Sequence, residues 1–419
     1  MATVAIRQMF ARPDHALWVL IQQFAVRGLI ALKFLLAARL LGPDQIGLVG
    51  IATLSLTIVE SLSDTGLSQA VVQSHSKINR QEAGAVWTLQ LTRGVTLAVM
   101  LFVLAGPVSL LFKLPASSSL IALAAVMPLL RNAFNPGIFL VQRNRNFRQL
   151  SIYEASAALL DLATTLLLIH LGVGPASILL GNIASDSLKL VLTWTWCPAR
   201  LTPNFQWRLI RALTSFGKWV WGSSVIILVL NQLDKVLVAR FLGSTQFGLY
   251  QVASRIAQLF VADGAAALGQ FLYPTFAQNH RASSESTKGY LGWIMRRLVI
   301  VGLLAVIILI STASLLISAV LGIEWAAAVP ILQIMAVAMF FSALNTVFVA
   351  YSRATGRPKI VTQAVTVQLI ALGAVAPVMA WKFGTIGMAS ASALALVFAT
   401  AYFTAKLRKQ PLSHAYFDH

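Results

Sequence analysis

Residues 38–48 read ARLLGPDQIGL, and residues 239–249 read ARFLGSTQFGL. Ala38, Arg39, Leu41, Gly42, Gln45, Gly47 and Leu48 recur 201 positions later as Ala239, Arg240, Leu242, Gly243, Gln246, Gly248 and Leu249. Each copy lies between the first and second apolar segments of one half of the chain. If each half crosses the membrane six times, an even number, both halves keep the same orientation. Their symmetry axis then runs along the membrane normal, as in transporters built from parallel repeats.

The rest of the sequence supports that division. Hydrophobic residues make up 58% of the 419 positions and charged residues 11%, with a mean hydropathy of +0.78; soluble domains carry about 25% charged residues. A helix needs roughly 20 apolar residues to cross a hydrocarbon core of about 30 Å. Twelve such segments can be marked, near 16–41, 46–73, 84–112, 118–141, 150–171, 175–197, 217–242, 246–275, 291–322, 326–351, 359–381 and 384–405. The expected fold is an all-α integral membrane protein of about twelve helices, with an N-lobe over 1–199, a C-lobe over 200–409 and a tail over 410–419. The first apolar run is too long for a cleavable signal peptide and continues into further spans. Several spans contain prolines (Pro107, Pro128, Pro136, Pro274, Pro330 and Pro377), which predict kinks.

Charge sets the expected orientation. With the N-terminus inside, 20 of the 32 basic residues fall in inner segments. Four (Arg39, Lys113, Arg240 and Lys382) fall at outer ends, and the other eight lie within spans. That asymmetry follows the positive-inside rule and places both termini in the cytoplasm, with a bacterial inner membrane as the plain location. The net charge of +19 is dispersed in twos and threes rather than gathered into a nucleic-acid-binding stripe. The single cysteine, Cys197, excludes an intrachain disulfide. No His-Glu-x-x-His, Cys-x-x-Cys or Walker motif occurs, and no loop is long enough for a catalytic domain, which argues against an enzyme or an ATP-driven pump.

The run ARLLGPDQIGLVGIATLSLTIVESLSDTGLSQAVVQ at 38–73 resembles the signature of Wzx-type polysaccharide exporters, members of the multidrug/oligosaccharidyl-lipid/polysaccharide flippase superfamily. Gly42-Pro43, Glu60, Asp64, Gly66-Leu67 and Gln73 carry the resemblance in the first half. Asn231-Gln232-Leu233-Asp234, Gly243 to Tyr250 and Tyr273-Pro274 carry it in the second. The resemblance implies two six-helix lobes around a central cavity that opens alternately to either side. It also implies an oligosaccharide on a polyprenyl pyrophosphate carrier as substrate, moved from the cytoplasmic to the outer leaflet. A polysaccharide polymerase or export machinery becomes a candidate partner, and coupling to H+ or Na+ replaces any bound cofactor. A drug or cation antiporter on the same fold is the nearest alternative, and a membrane enzyme of polysaccharide assembly is a more distant one.

Charged side chains at the centre of a membrane helix cost about 2.5–3.5 kcal/mol each, so they face an interior or a partner. Arg27, Lys33 and Arg255 are the candidates for gripping the pyrophosphate, through the fork of Arg and the point charge of Lys. Glu60 and Asp64 share a helix face four residues apart. Two carboxylates so placed resist double ionisation, making them, with Asp234, candidates for ion coupling. Arg93, Arg131, Asp161, Asn231 and Asp263 are further cavity candidates. The competing expectation is structural: Arg27, Lys33 and Arg255 paired with Glu60, Asp64 or Asp263, and Asp186 paired with Lys189 on one helix face. Lys235 adjoins Asp234, so only one of them is expected to face a cavity, whereas Asn231 and Asp234 share a face. Trp194, Trp196, Trp219 and Trp221 read as an interfacial aromatic belt.

Overall fold

A computed structural model describes residues 25–63, 80–138, 141, 147–196, 207–282 and 284–409. Asp64, Gln73 and the linker at 198–206 lie outside them. Eleven α-helices follow in order: α1 (Arg27–Leu62), α2 (Arg80–Leu111), α3 (Ser118–Ala124), α4 (Val126–Asn132), α5 (Phe147–His170), α6 (Ala176–Trp196), α7 (Trp207–Ala257), α8 (Asp263–Ala282), α9 (Ser284–Val320), α10 (Ala328–Ala354) and α11 (Pro358–Lys409). A π-helical turn, Gln258–Ala262, joins α7 to α8.

Three of these helices are hairpins in disguise. α7 has 51 residues and α11 has 52. At about 1.5 Å per residue a straight helix of that length would exceed the hydrocarbon core more than twofold. Each breaks at one glycine, as α1 does. Gly42 adopts φ 77° and ψ 172°, and Gly243 adopts φ 84° and ψ 178°. This backbone region is open almost only to glycine, because a Cβ would clash with the chain. The repeat read at 38–48 and 239–249 is therefore a repeated backbone break at equivalent positions. Gly384 breaks α11 with φ 58° and ψ −135°. With α3 and α4 taken as one crossing, and α7's second limb continued through the π turn into α8, the described helices give twelve segments, six in each half.

The repeat also explains its glutamines. Gln45 Oε1 lies against Gly174, in the turn between α5 and α6, about where a Cβ there would contact it at 3.6 Å. Gln246 Oε1 accepts a hydrogen bond from Thr385 Oγ1 at 3.0 Å, beside the Gly384 break. In each half, the residue that follows the first hairpin turn rests on the last one.

Pro107, Pro274 and Pro377 sit inside helices whose φ/ψ stay helical around them, so the sharp breaks fall at glycines instead. A proline removes one backbone donor but keeps a helical φ near −65°, whereas a positive φ redirects the chain. The packing is that of a bundle in lipid. Large apolar side chains such as Phe102, Val103, Leu110, Ile307 and Leu315 point outward. Small ones (Ala37, Ala38, Ala52, Ala336, Ala338, Ala389 and Ala391) are fully buried between helices. Lipid gives helices no hydrophobic drive to associate, so close approach over small residues supplies the packing.

The chain divides into two compact units, Met1–Val229 and Leu230–His419. The division falls within α7, downstream of the polar linker where the sequence suggests 199/200. The helical breaks yield a direct test. Gly42→Ala and Gly243→Ala should each cost about 1–3 kcal/mol, the strain of that backbone region. Gly106→Ala, on a helical glycine with open space where a Cβ would stand, should not. Thermal unfolding of the detergent-solubilised protein separates the two cases.

Candidate functional site

In the first unit, helical spacing brings the membrane charges into three groups of contacts along α6. α6 carries Asn182, Asp186 and Lys189 at i, i+4 and i+7, which places them along one stripe. Lys33 of α1, 7% exposed, donates to both carboxylate oxygens of Asp161 at 2.9 and 2.8 Å and to Asn182 Oδ1 at 2.7 Å. Thr165 Oγ1, one turn along α5, donates to Asp161 Oδ1 at 3.4 Å. Gly181 lets α6 approach this group: a Cβ there would overlap Thr165 Oγ1 and the Asp161 carboxylate.

Arg131 of α4 forms the second node. Its Nε donates to Asp186 Oδ2 at 2.8 Å, and its Nη1 lies 3.3 Å from both oxygens of Glu60 on α1. The Arg131 side chain is 36% exposed, against 10% for Asp186. One guanidinium therefore serves two carboxylates while part of its donor edge stays open. Lys189 Nζ meets Glu154 Oε2 of α5 at 2.7 Å. Arg93 of α2 caps the end of α1, donating to the Glu60 carbonyl at 3.0 Å and to Ser63 Oγ at 2.9 Å; a cation there complements the partial negative charge of a helix C-terminus.

This pairing differs from what the sequence suggests. Glu60 meets Arg131, not Arg27 or Lys33, and Lys33 meets Asp161. Asp186 and Lys189 turn to different neighbours, α4 and α5, because each has a fully charged partner across a helix interface that is nearer than its own helix-mate. Arg27 is exposed and forms no ion pair with a described residue. Trp194 is anchored by Nε1 donating to the Ala133 carbonyl at 3.1 Å and stands edge-on to Trp87, with ring centroids 5.5 Å apart. The side chains of Trp219 and Trp221 lie outside the described residues.

The second unit holds a cavity of about 350 Å³ lined by residues from α7, α8's approach, α10 and α11, at the small end of ligand pockets. Asn231, Asp234 and Lys235 line one side, Ser254, Gln258 and Ala262 another, and Met335, Met339, Ser342, Gln368 and Ser392 the remainder. Both Asp234 and Lys235 border it, correcting the expectation that only one would. The long Lys235 side chain bends back along its helix, donating to the Asn231 carbonyl at 3.1 Å and Gln232 Oε1 at 3.2 Å. Tyr250 Oη, fully buried, donates to Asp234 Oδ2 at 2.6 Å and lies 3.3 Å from Ser392 Oγ. Asp234 Oδ1 is buried with no hydrogen-bond partner among the described residues. A carboxylate oxygen in that state suits a proton or a small cation.

Gln258 and Ala262 reach the cavity from the two ends of the π turn, a geometry that recurs at functional sites. Arg255 Nη1 donates to Gln258 Oε1 at 3.2 Å and forms no ion pair with Asp263 or any other described residue. The structure thus gathers Asn231 and Asp234 at the cavity and sets Arg255 beside one of its lining residues; Asp263, at the start of α8, does not line it. Sequence reading missed Asn182, Glu154, Tyr250, Gln258 and Ser392. The i, i+4 repeats of polar residues at Asp161/Thr165 and Asn182/Asp186 could have flagged the first unit's network, and Tyr250 immediately follows the second repeat copy. Nothing local marks Ser392.

Twelve helical segments with an apolar exterior and buried charges define a multi-pass membrane protein. Its sequence matches the family described as "Polysaccharide biosynthesis protein" over residues 36–330, and the chain belongs to that family. It is 25% identical over 337 residues to the succinoglycan biosynthesis transport protein ExoT of Rhizobium meliloti, covering 79% of this chain and 67% of that protein. It is 25% identical over 279 residues to the teichuronic acid biosynthesis protein TuaB of Bacillus subtilis, covering 65% of this chain and 57% of that one. These matches span about two thirds or less of the relatives' own lengths. Among solved structures, the lipid II flippase MurJ in an inward closed conformation superposes with a TM-score of 0.72 at 14% identity, over 94% of this chain and 88% of that one. The fold is accordingly that of the multidrug/oligosaccharidyl-lipid/polysaccharide flippase superfamily.

The buried ion pair generates the second prediction. Lys33→Met alone should cost about 3–5 kcal/mol, since it strands Asp161 in a dry interior. The double variant Lys33→Met/Asp161→Leu should recover much of that loss. Folded yield and melting temperature in detergent measure both.

Proposed function

We propose that this protein is a flippase that moves a polyprenyl-pyrophosphate-linked oligosaccharide from the cytoplasmic to the outer leaflet of a bacterial inner membrane. It acts by alternating access, in the biosynthesis of an exopolysaccharide or lipopolysaccharide. The observation that carries this reading is the joining of a polysaccharide-biosynthesis sequence to a membrane bundle whose first unit keeps exposed guanidinium donors. In the first unit Glu60, Glu154, Asp161 and Asp186 are each engaged by a base, and exposed Arg27, which has no ion-pair partner among the described residues, is left to meet an anion together with the Arg131 donors not spent on Glu60 and Asp186. A pyrophosphate suits those donors, because guanidinium groups bind phosphate oxygens in pairs. A carrier of cationic drugs needs free carboxylates instead, and the first unit offers none among its described residues.

Ion coupling is assigned to Asp234. Its Oδ1 has no partner while its Oδ2 is held by Tyr250, so taking up H+ or Na+ would alter the hydrogen bonds that join α7 to α11 through Tyr250 and Ser392. Asp234→Asn should leave the protein folded and remove the dependence of transport on an imposed ion gradient; unaltered gradient dependence would refute the assignment. Both termini are placed in the cytoplasm, following the distribution of basic residues. Alkaline phosphatase fused after residue 409 should then be inactive, and fused at the 113–117 turn active.

Loss of the protein in its native host tests the function as a whole. Lipid-linked oligosaccharide should accumulate in the cytoplasmic leaflet and polymer export should cease, with Arg131→Ala reproducing the defect at normal protein levels. Continued export in a strain without a second transporter would exclude this role.

A further inference from the structure

A second, external site stands on α9, independent of the transport reading. Gly289, Gly292, Arg296 and Ile300 follow one another at i, i+3, i+7 and i+11, so they line a single stripe of the helix. The two glycines have open space where a Cβ would stand, which leaves a notch along the helix. Trp293 forms one wall and is 50% exposed. The Arg297 guanidinium lies 3.8 Å from the centre of its indole ring. On the other side Tyr290 stacks on Trp293, 5.9 Å between centroids at 15°, and is fixed in turn edge-on to Phe276 at 5.7 Å. The indole holds the Arg297 guanidinium over its face, so ordering that side chain for a ligand costs less entropy. Neither Arg296 nor Arg297 forms an ion pair with a described residue, and both are exposed. Immediately along the same face run exposed Ile300, Leu304 and Ile307.

We infer that this notch binds one anionic glycerophospholipid, of the phosphatidylglycerol type. The phosphodiester sits between Arg296 and Arg297 over the glycine floor, and an acyl chain follows the apolar stripe. A paired guanidinium site matches a phosphate's charge and geometry. A basic pocket with an aromatic wall at the head of a lipid-facing helix matches where such headgroups lie. A zwitterionic choline lipid would bring its own cation against two arginines and bind less well.

Native mass spectrometry of the full-length protein, delipidated and titrated with phosphatidylglycerol or phosphatidylcholine, tests this. One phosphatidylglycerol should be retained preferentially. Arg296→Ala/Arg297→Ala should weaken it roughly 30-fold, from two cations near the surface. Gly292→Leu, which keeps both arginines and fills the notch, should also weaken it at least several-fold. Equal retention of the two lipids, or unchanged phosphatidylglycerol binding in either variant, would overturn the inference. So would displacement of phosphatidylglycerol by an equimolar polyprenyl phosphate, which would make the notch a site for the carrier lipid.

Discussion

A charge inside a membrane bundle must find its counter-charge within the bundle, and this requirement arranges the first unit. Lys33 is nearly as buried as the alanines around it, and Asp161 and Asn182 take up its three donors. That one junction ties α1, α5 and α6 together, and Gly181 permits the approach that makes it short. Arg131 continues the pattern through Asp186 and Glu60, so α4 and the second limb of α1 are drawn to the same stripe of α6. The acids and bases that look scattered along the sequence become three bonded groups ranged along α6. At Arg131 two carboxylates share a guanidinium that also meets solvent.

The second unit solves the same problem differently. Among the described residues Asp234 forms no ion pair; a buried phenol holds one of its oxygens and no partner holds the other. An environment of that kind keeps a carboxyl group sensitive to what enters the cavity. The walls that define the cavity are themselves tied by polar contacts. Thr400 donates to Asn345 at 2.9 Å, and Asn345 donates to the Leu396 carbonyl at 3.3 Å, holding α10 against the last limb of α11. The π turn beside Gln258 adds a local irregularity to the α7–α8 side. The cavity therefore has one wall tied by interhelical hydrogen bonds and another with a local helical irregularity.

Much of this fold was legible in the sequence because membrane crossing imposes length and hydropathy on every segment. The twelve apolar runs correspond one for one to helical limbs, and the repeat at 38–48 and 239–249 marked the two most similar backbone breaks. Pro107, Pro274 and Pro377 misdirected, since a helix in lipid tolerates them without changing course, whereas Pro128 does stand just after the break between α3 and α4. The site was legible only as a set of residue types. Lys33, Glu60, Arg131, Asp161 and Asp234 could be named as buried charges, but which acid meets which base depends on helix rotation and neighbour order, which periodicity leaves open. Lys33 is 128 residues from Asp161 and Glu60 is 71 from Arg131. Tyr250 and Ser392, being neutral, gave no electrostatic signal at all.

The proposed flippase would move a lipid-linked saccharide across the bilayer, with exposed Arg27 and the open donors of Arg131 offered to its phosphates. The most direct measurement uses purified protein in liposomes loaded with a polyprenyl-diphosphate oligosaccharide, with a membrane-impermeant glycosidase reporting how much saccharide reaches the outer leaflet over time. The account predicts protein-dependent exposure of saccharide beyond the half initially accessible, with strong loss in Arg131→Ala that still folds. Exposure no faster than in protein-free liposomes, by intact protein under an imposed ion gradient, would contradict it.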